Sequence, residues 1–318
     1  MTDRAPARPR GTRSQGSAGV WYGVGAYGLW GVLPVYLAVL APSGPWEIVA
    51  HRILWSGLFC VALLLLQRRF RAFLAAVRPP ATAAALTLAG ALIAVNWTGY
   101  VVAATSGRIT EAALGYFLNP LVSIALGLAV LGERLRPGQW AAVAVGGAGA
   151  LYLVVASGSP PWIALLLAFS FGAYGLVKKK TGVSLGAVES LSAETLVLAP
   201  VAVGLLVWCQ VTGRATFGAL GPGHAALLAG CGVVTAVPLL LFASAARRVT
   251  LVTIGLLQFI APVLQFVMGL AMGEEMSPTR WIGFGIVWLA VCILVADTLV
   301  WANRMRRTRL REDDRLPA

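Results

Sequence analysis

The chain carries its apolar residues in long unbroken runs, not in alternation. Ten such runs stand out, at 19–41, 46–66, 81–105, 110–132, 139–156, 160–177, 188–211, 224–246, 249–273 and 280–301. A helix needs roughly 20 mostly apolar residues to cross the hydrocarbon of a bilayer. Membrane β-strands would be about ten residues long and would alternate in polarity. Hydrocarbon offers no hydrogen-bond partner, so backbone groups must pair within each run, and helices follow. The pattern predicts an all-α integral membrane protein of ten transmembrane helices.

Composition agrees. Of the 318 residues 58% are hydrophobic and 12% charged, against roughly 25% charged in soluble domains. The longest internal connections, near 67–80 and 178–187, are too short for a soluble domain. The net charge of +13 would suggest nucleic acid on a soluble protein, but its placement gives another reading. With the N-terminus cytoplasmic, twenty-one of the twenty-five Lys and Arg residues fall in the two tails and the inner connections. Arg108, Arg214 and Arg280 fall outside, and Arg52 lies within a run. That bias is the positive-inside rule. It predicts both termini in the cytoplasm, the lipid bilayer as partner and no nucleic-acid partner. The first run is too long for a cleaved signal, and Pro42 disfavours processing there, so it reads as a retained span. Cys60, Cys209, Cys231 and Cys292 all lie within runs, with no disulfide or metal spacing, and nothing resembles a phosphate-cradling loop. No metal or cofactor is expected. The sequence does not define an oligomeric state.

The two halves repeat one another. Ala26-Tyr27-Gly28-Leu29 recurs as Ala173-Tyr174-Gly175-Leu176, and at the same offset Glu47 falls on Glu194. Further on, Arg108-Ile109-Thr110 matches Arg248-Val249-Thr250, Pro120 matches Pro262, and Glu133, Pro137 and Trp140 match Glu274, Pro278 and Trp281. Each half holds five runs. Five is odd, so the second half would enter the membrane from the opposite side, as in carriers that open alternately to either face. The expected organisation is a basic tail (1–18), a first five-helix repeat (19–156), a second (157–301) and a basic tail (302–318).

Several stretches resemble the RarD group of the EamA-type drug/metabolite transporter superfamily. They are Glu47-Ile48-Val49-Ala50-His51-Arg52, Asn96-Trp97 with Tyr100, Gly115-Tyr116-Phe117-Leu118-Asn119-Pro120 and Leu131-Gly132-Glu133-Arg134. Val234-Thr235-Ala236-Val237-Pro238-Leu239 and Gln258-Phe259-Ile260-Ala261-Pro262 belong to the same set. The resemblance runs from Val20 to Trp301 and implies a ten-helix inner-membrane carrier of two inverted EamA-like repeats. Its departures are the two arginine-rich tails.

Ionisable groups inside a membrane cost roughly 2.5–3.5 kcal/mol each on insertion scales, so they mark candidate sites. Glu47 and His51 share a helix face. Arg52 points about 100° away from His51. The three offer an anion site, a proton-handling pair or an internal salt bridge, and His51 is the natural proton carrier. Against this, Glu47 suits a first helical turn, and His51 and Arg52 suit bracing between helices. Glu194 and Glu111 carry the same ambiguity between a solute or proton pathway and helix-start capping. Asn96 and Tyr100 share a face, Glu111, Gly115 and Asn119 share another, and Gln258, Pro262, Gln265 and Gly269 form a third stripe. Each could line a pathway or tie helices together. Pro120 and Pro262 are candidate bending positions.

The expected function is secondary-active transport of a small organic solute by alternating access, with proton coupling and export as its mode. An integral-membrane lipid-modifying enzyme and a non-transporting accessory protein stay open. The orientation is directly testable: single cysteines at Ser43 and Ser159 should react with impermeant label from outside and one at Ser184 should not. The reverse pattern would overturn the ten-span reading.

Overall fold

Hydrocarbon-length helices dominate a computed structural model, which describes residues 11–131, 135–157, 160–181, 185–246, 248–249 and 257–313. The helices are α1 (Gly11–Val39), α2 (Pro45–Leu66), α3 (Phe70–Val77), α4 (Pro80–Thr105), α5 (Ile109–Leu131) and α6 (Pro137–Ser157). They continue as α7 (Trp162–Thr181), α8 (Ala187–Val211), α9 (Pro222–Ala246), α10 (Ile260–Ala271) and α11 (Pro278–Asp313). Eight are long and apolar enough to cross a membrane. Two apolar helices are shorter, with apolar stretches Trp162–Val177 and Ile260–Ala271. They stand where the sixth and ninth runs were expected. For the ninth, residues 250–256 lie outside the described set, as do Glu133, Arg134, Ser159 and Ser184.

Proline sets where helices begin. Pro45, Pro80, Pro137, Pro222 and Pro278 each open one, where a missing N–H removes no helical hydrogen bond. Glycines with positive φ follow the ends of α4, α8 and α10. Gly107 and Gly273 have φ of 66° and 89°, a conformation that is cheap only without a Cβ. Beyond them the Arg108 N–H returns to the Ala103 carbonyl and the Glu274 N–H to the Gly269 carbonyl. These turns aim Arg108 and Glu274 back over the helix ends.

Three boundaries depart from expectation. An eight-residue helix, α3, fills the connection after α2, with Phe73 buried against Leu64 and Leu86. The first helix begins eight residues before the predicted run, and the last continues twelve residues beyond Trp301. Tails read as separate from the spans therefore extend them. Helix geometry propagates at one hydrogen bond per residue and does not stop where the apolar run stops.

The most extensive helix pairs all join the two halves: α2 with α8, α6 with α11, α5 with α7, α1 with α9, α2 with α9, α4 with α7, α1 with α10, α5 with α10 and α4 with α8. Exchanging α1, α2, α4, α5 and α6 for α7, α8, α9, α10 and α11 converts this set into itself. Lipid is as apolar as leucine, so packing and hydrogen bonds must drive such pairing. At Gly115 an added Cβ would stand 2.7 Å from the Ala164 carbonyl oxygen, so α5 and α7 touch backbone to backbone. Outside the core, Trp46, Trp140, Trp162, Trp208 and Trp281 are exposed near helix ends, where an interfacial aromatic belt lies.

Candidate functional site

Short connections make successive helices antiparallel, so the connections alternate between two ends of the bundle. The first end carries residues 40–44, 106–108, 160–161, 212–221 and 272–277. Three carboxylates close it. The Glu47 Oε1 accepts from the backbone N–H groups of Thr216 (2.8 Å) and Phe217 (3.0 Å), and its Oε2 accepts from the Thr216 hydroxyl (2.9 Å). The Glu111 carboxylate accepts from the Ile163 N–H at 3.0 Å and pairs with Arg108. Glu274 accepts from the Ile109 N–H and, at 2.8 Å, from the Thr110 N–H. The first N–H groups of a helix have no partner within it, and Glu111 and Glu274 supply one to α7 and α5. Ser43, Thr216 and His224 complete the closure, with the Ser43 hydroxyl 2.7 Å from His224 Nε2.

His51 lies one turn below Glu47. Its ring stacks on Phe217 at 4.8 Å, and its Nδ1 accepts from the Trp55 indole N–H at 3.0 Å. Indole only donates, so Nδ1 holds a lone pair and the ring proton sits on Nε2, 4.0 Å from Glu47. In this conformation His51 is neutral.

Arg52 turns away from that face and enters a layer about 10 Å along the axis from Pro45. It is 4% exposed. Its Nε donates to the Thr235 hydroxyl at 3.3 Å, and its guanidinium lies 4.9 Å from the Trp97 ring centre. Tyr36, Tyr100, Tyr116 and Cys231 surround it electrostatically. Among the described residues no carboxylate pairs with it, and its Nη1 has no hydrogen-bond partner. The hydroxyl of Tyr100, 3% exposed, also lacks one. Tyr100 and Tyr116 rings stand 5.8 Å apart. Asn96 braces the layer. Its amide donates to the Leu167 carbonyl and the Ser170 hydroxyl, both at 3.1 Å, and its carbonyl accepts from Tyr116 at 3.3 Å.

The remaining candidates lie elsewhere. Glu194, nearer the second end, accepts from Ser190 at 2.9 Å and from Tyr174 at 3.3 Å. Asn119 is buried with its Oδ1 unpartnered. Gln265 donates to the Trp30 carbonyl at 3.1 Å, and its Oε1 is unpartnered. Gln258 is half-buried in the turn before α10. Pro120 lies inside α5, whereas Pro262 lies in the first turn of α10. The structure thus brings Arg52, Asn96 and Tyr100 into one layer with Glu47 and His51 above it, and leaves Glu111, Asn119, Glu194, Gln258 and Gln265 apart. Sequence reasoning missed Tyr36, Thr235, Trp55 and Thr216 as parts of this region. Thr235 did leave a signal, a hydroxyl in the middle of the apolar run 224–246.

Buried polar side chains between apolar, lipid-length helices define a multi-pass membrane protein with an internal polar layer. The EamA-like transporter family model matches residues 17–155 and again 160–296, so the chain belongs to that family and consists of two of its repeats. It is 49% identical to the protein RarD of Streptomyces exfoliatus, over 91% of each chain. It is 37% identical to RarD of Escherichia coli K12, over 90% of this chain and 96% of that one. An uncharacterised transporter of Vibrio cholerae is 37% identical, over 92% and 96%. A solved crystal structure superposes with a TM-score of 0.58 at 18% identity, covering 89% of this chain and 97% of the other, which speaks to fold alone.

Glu47→Ala would strip two backbone N–H groups and a hydroxyl of their acceptor. Each orphaned buried group costs about 1–3 kcal/mol. The unfolding midpoint of the detergent-purified protein should fall clearly for Glu47→Ala and less for Glu47→Gln, which keeps an acceptor oxygen. An unchanged midpoint in Glu47→Ala would contradict the clasp.

Proposed function

We propose that the protein is a secondary-active carrier of the cell inner membrane that exports a small organic solute by alternating access, coupled to protons. In this reading it has ten spans in two inverted five-helix repeats, 19–156 and 157–301, with the tails 1–18 and 302–318 cytoplasmic. The observation that carries the proposal is the seam between the halves. Helix pairs that convert into one another under exchange of the repeats surround a buried polar layer that contains an unpaired cation. Two pseudo-equivalent halves around one internal site suit a rocking motion that exposes the site to each side in turn.

The positive-inside count puts the first end outside. Its clasps are centred on the buried Glu47 and Glu111 carboxylates and hold backbone N–H groups, whereas the second end is joined by side-chain ion pairs, Arg69 reaching Glu189 at 2.8 Å from a side chain that is 60% exposed and Arg136 pairing with Asp297. Exposed ion pairs contribute about 0–1 kcal/mol, so the second end is the easier one to open. This conformation is then closed outward. Opening the first end would separate Glu47 from the 216–217 backbone and leave a carboxylate beside His51. We assign proton uptake to that step: once the Trp55 contact breaks, Nδ1 can accept a proton, and the freed Glu47 carboxylate stabilises the imidazolium. An enzymatic reading loses its acid–base pair, since the Glu47 oxygens are occupied by the 216–217 segment.

Counterflow in proteoliposomes, with a panel of neutral, anionic and cationic metabolites and an imposed pH gradient, tests the proposal. Saturable exchange of at least one solute, accelerated by the gradient in the wild type and insensitive to it in His51→Gln, is expected. A broad panel with no exchange would contradict the carrier reading. Unchanged gradient dependence in His51→Gln would remove His51 as the coupling group.

A further inference from the structure

We propose that Arg52 and Tyr100 form the recognition point for an organic monoanion, a single carboxylate on a compact apolar or aromatic body. The proposal rests on the carrier reading only in treating this anion as the transported solute.

Hydrogen-bond supply is incomplete in this layer. Arg52 Nη1 and the Tyr100 hydroxyl are both buried and both without partners, and each lies within the other's electrostatic range. A guanidinium has donors only, and a tyrosine hydroxyl donates readily. Arg52 lies over Trp97, and Tyr100 stands three residues on from Trp97 on the same helix, so residues at i and i+3 share a face and the two unfilled groups border one space that a single acceptor can serve. Bracing between helices accounts for the Arg52 Nε on Thr235 and for the ring face of Trp97, but not for Nη1. A guanidinium edge matches a carboxylate in shape and charge.

Charge sets the valence. The groups acting on Arg52 are Cys231, Tyr116, Tyr100 and Tyr36, all neutral at pH 7 at their ordinary values. His51 is adjacent in sequence but faces Phe217 and Trp55. Glu47 is engaged by Thr216 and Phe217. The layer therefore holds one positive charge and balances one negative charge. A phosphate dianion would leave charge uncompensated in a medium that tolerates it poorly. The body of the solute is defined by what surrounds the donors. Trp97, Tyr100 and Tyr116 offer ring faces and edges, and Ile93 and Val101 belong to the same apolar cluster.

Calorimetric titration of the full-length purified protein reads this directly. The probes are benzoate, hexanoate, their amides, benzylamine and phenyl phosphate. Either carboxylate should bind about tenfold or more tightly than its amide, as expected for a charge-assisted hydrogen bond. Benzylamine should not bind, and phenyl phosphate should bind more weakly than benzoate. Arg52→Gln should bring carboxylate affinity down to that of the amide, Arg52→Lys should recover part of it, and Tyr100→Phe should weaken it several-fold. Equal affinity for acid and amide in the wild type overturns the proposal, and so does undiminished carboxylate binding in Arg52→Gln. If Arg52→Gln does not fold, the wild-type acid–amide comparison and Tyr100→Phe decide. Exchange of neutral or cationic solutes that ignores Arg52 would retain the carrier and end the anion site. Arg52-dependent carboxylate binding without any exchange would retain the site and end the carrier.

Discussion

Hydrocarbon cannot hydrogen-bond, and that constraint governs this molecule. Every buried polar group must find its partner inside the protein, because an unpaired one costs several kcal/mol in lipid. The carboxylates obey it by capping backbone. Glu47 holds the 216–217 segment, Glu111 holds the start of α7, and Glu274 holds the start of α5. Asn96 obeys it by bridging α4, α5 and α7. Interhelical hydrogen bonds are worth about 0.6 kcal/mol on average, so no single one builds the fold. Their effect is collective: they fix which helix ends meet, and so which end of the bundle is shut.

Several buried groups break that rule, Asn119 and Gln265 among them, and of these Arg52 is the one that points to function. It carries a full charge, is buried beside a second unfilled donor and has no carboxylate partner among the described residues. The repeat does not duplicate it. At the offset that places Glu47 on Glu194, His51 falls on Leu198 and Arg52 on Ala199. The scaffold is pseudo-symmetric while the charge is not. One cation at the seam of two exchangeable halves gives a single site, as the proposed alternation of access requires.

The architecture was largely legible in the sequence because lipid enforces a one-dimensional rule. Run length matches the eight described helices that are long and apolar enough to cross a membrane, and prolines at 45, 80, 137, 222 and 278 stand at helix starts. What escaped was of two kinds. Helices outlast their apolar runs, so α1 and α11 exceed the predicted spans, and α3 is too short to leave a run at all. The roles of Glu47, Glu111 and Glu274 depend on neighbours 52 to 170 positions away. Spacing alone could not tell the backbone clasp at Glu47 or Glu111 from a pathway carboxylate. It could place Glu47 with His51, and Asn96 with Tyr100, because those pairs share a helix face. It could not bring Arg52 to Trp97 and Thr235, which lie on two other helices.

The central claim is that the first end must open for the buried layer to exchange its occupant. Ser43 and Thr216 face each other there through their hydroxyls. A double variant, Ser43→Cys with Thr216→Cys, made in a background whose four native cysteines are replaced, tests this most directly when solute exchange is followed before and after oxidation. The account predicts that the disulfide abolishes exchange and that reduction restores it. Exchange at the reduced-state rate with the cross-link intact would contradict it.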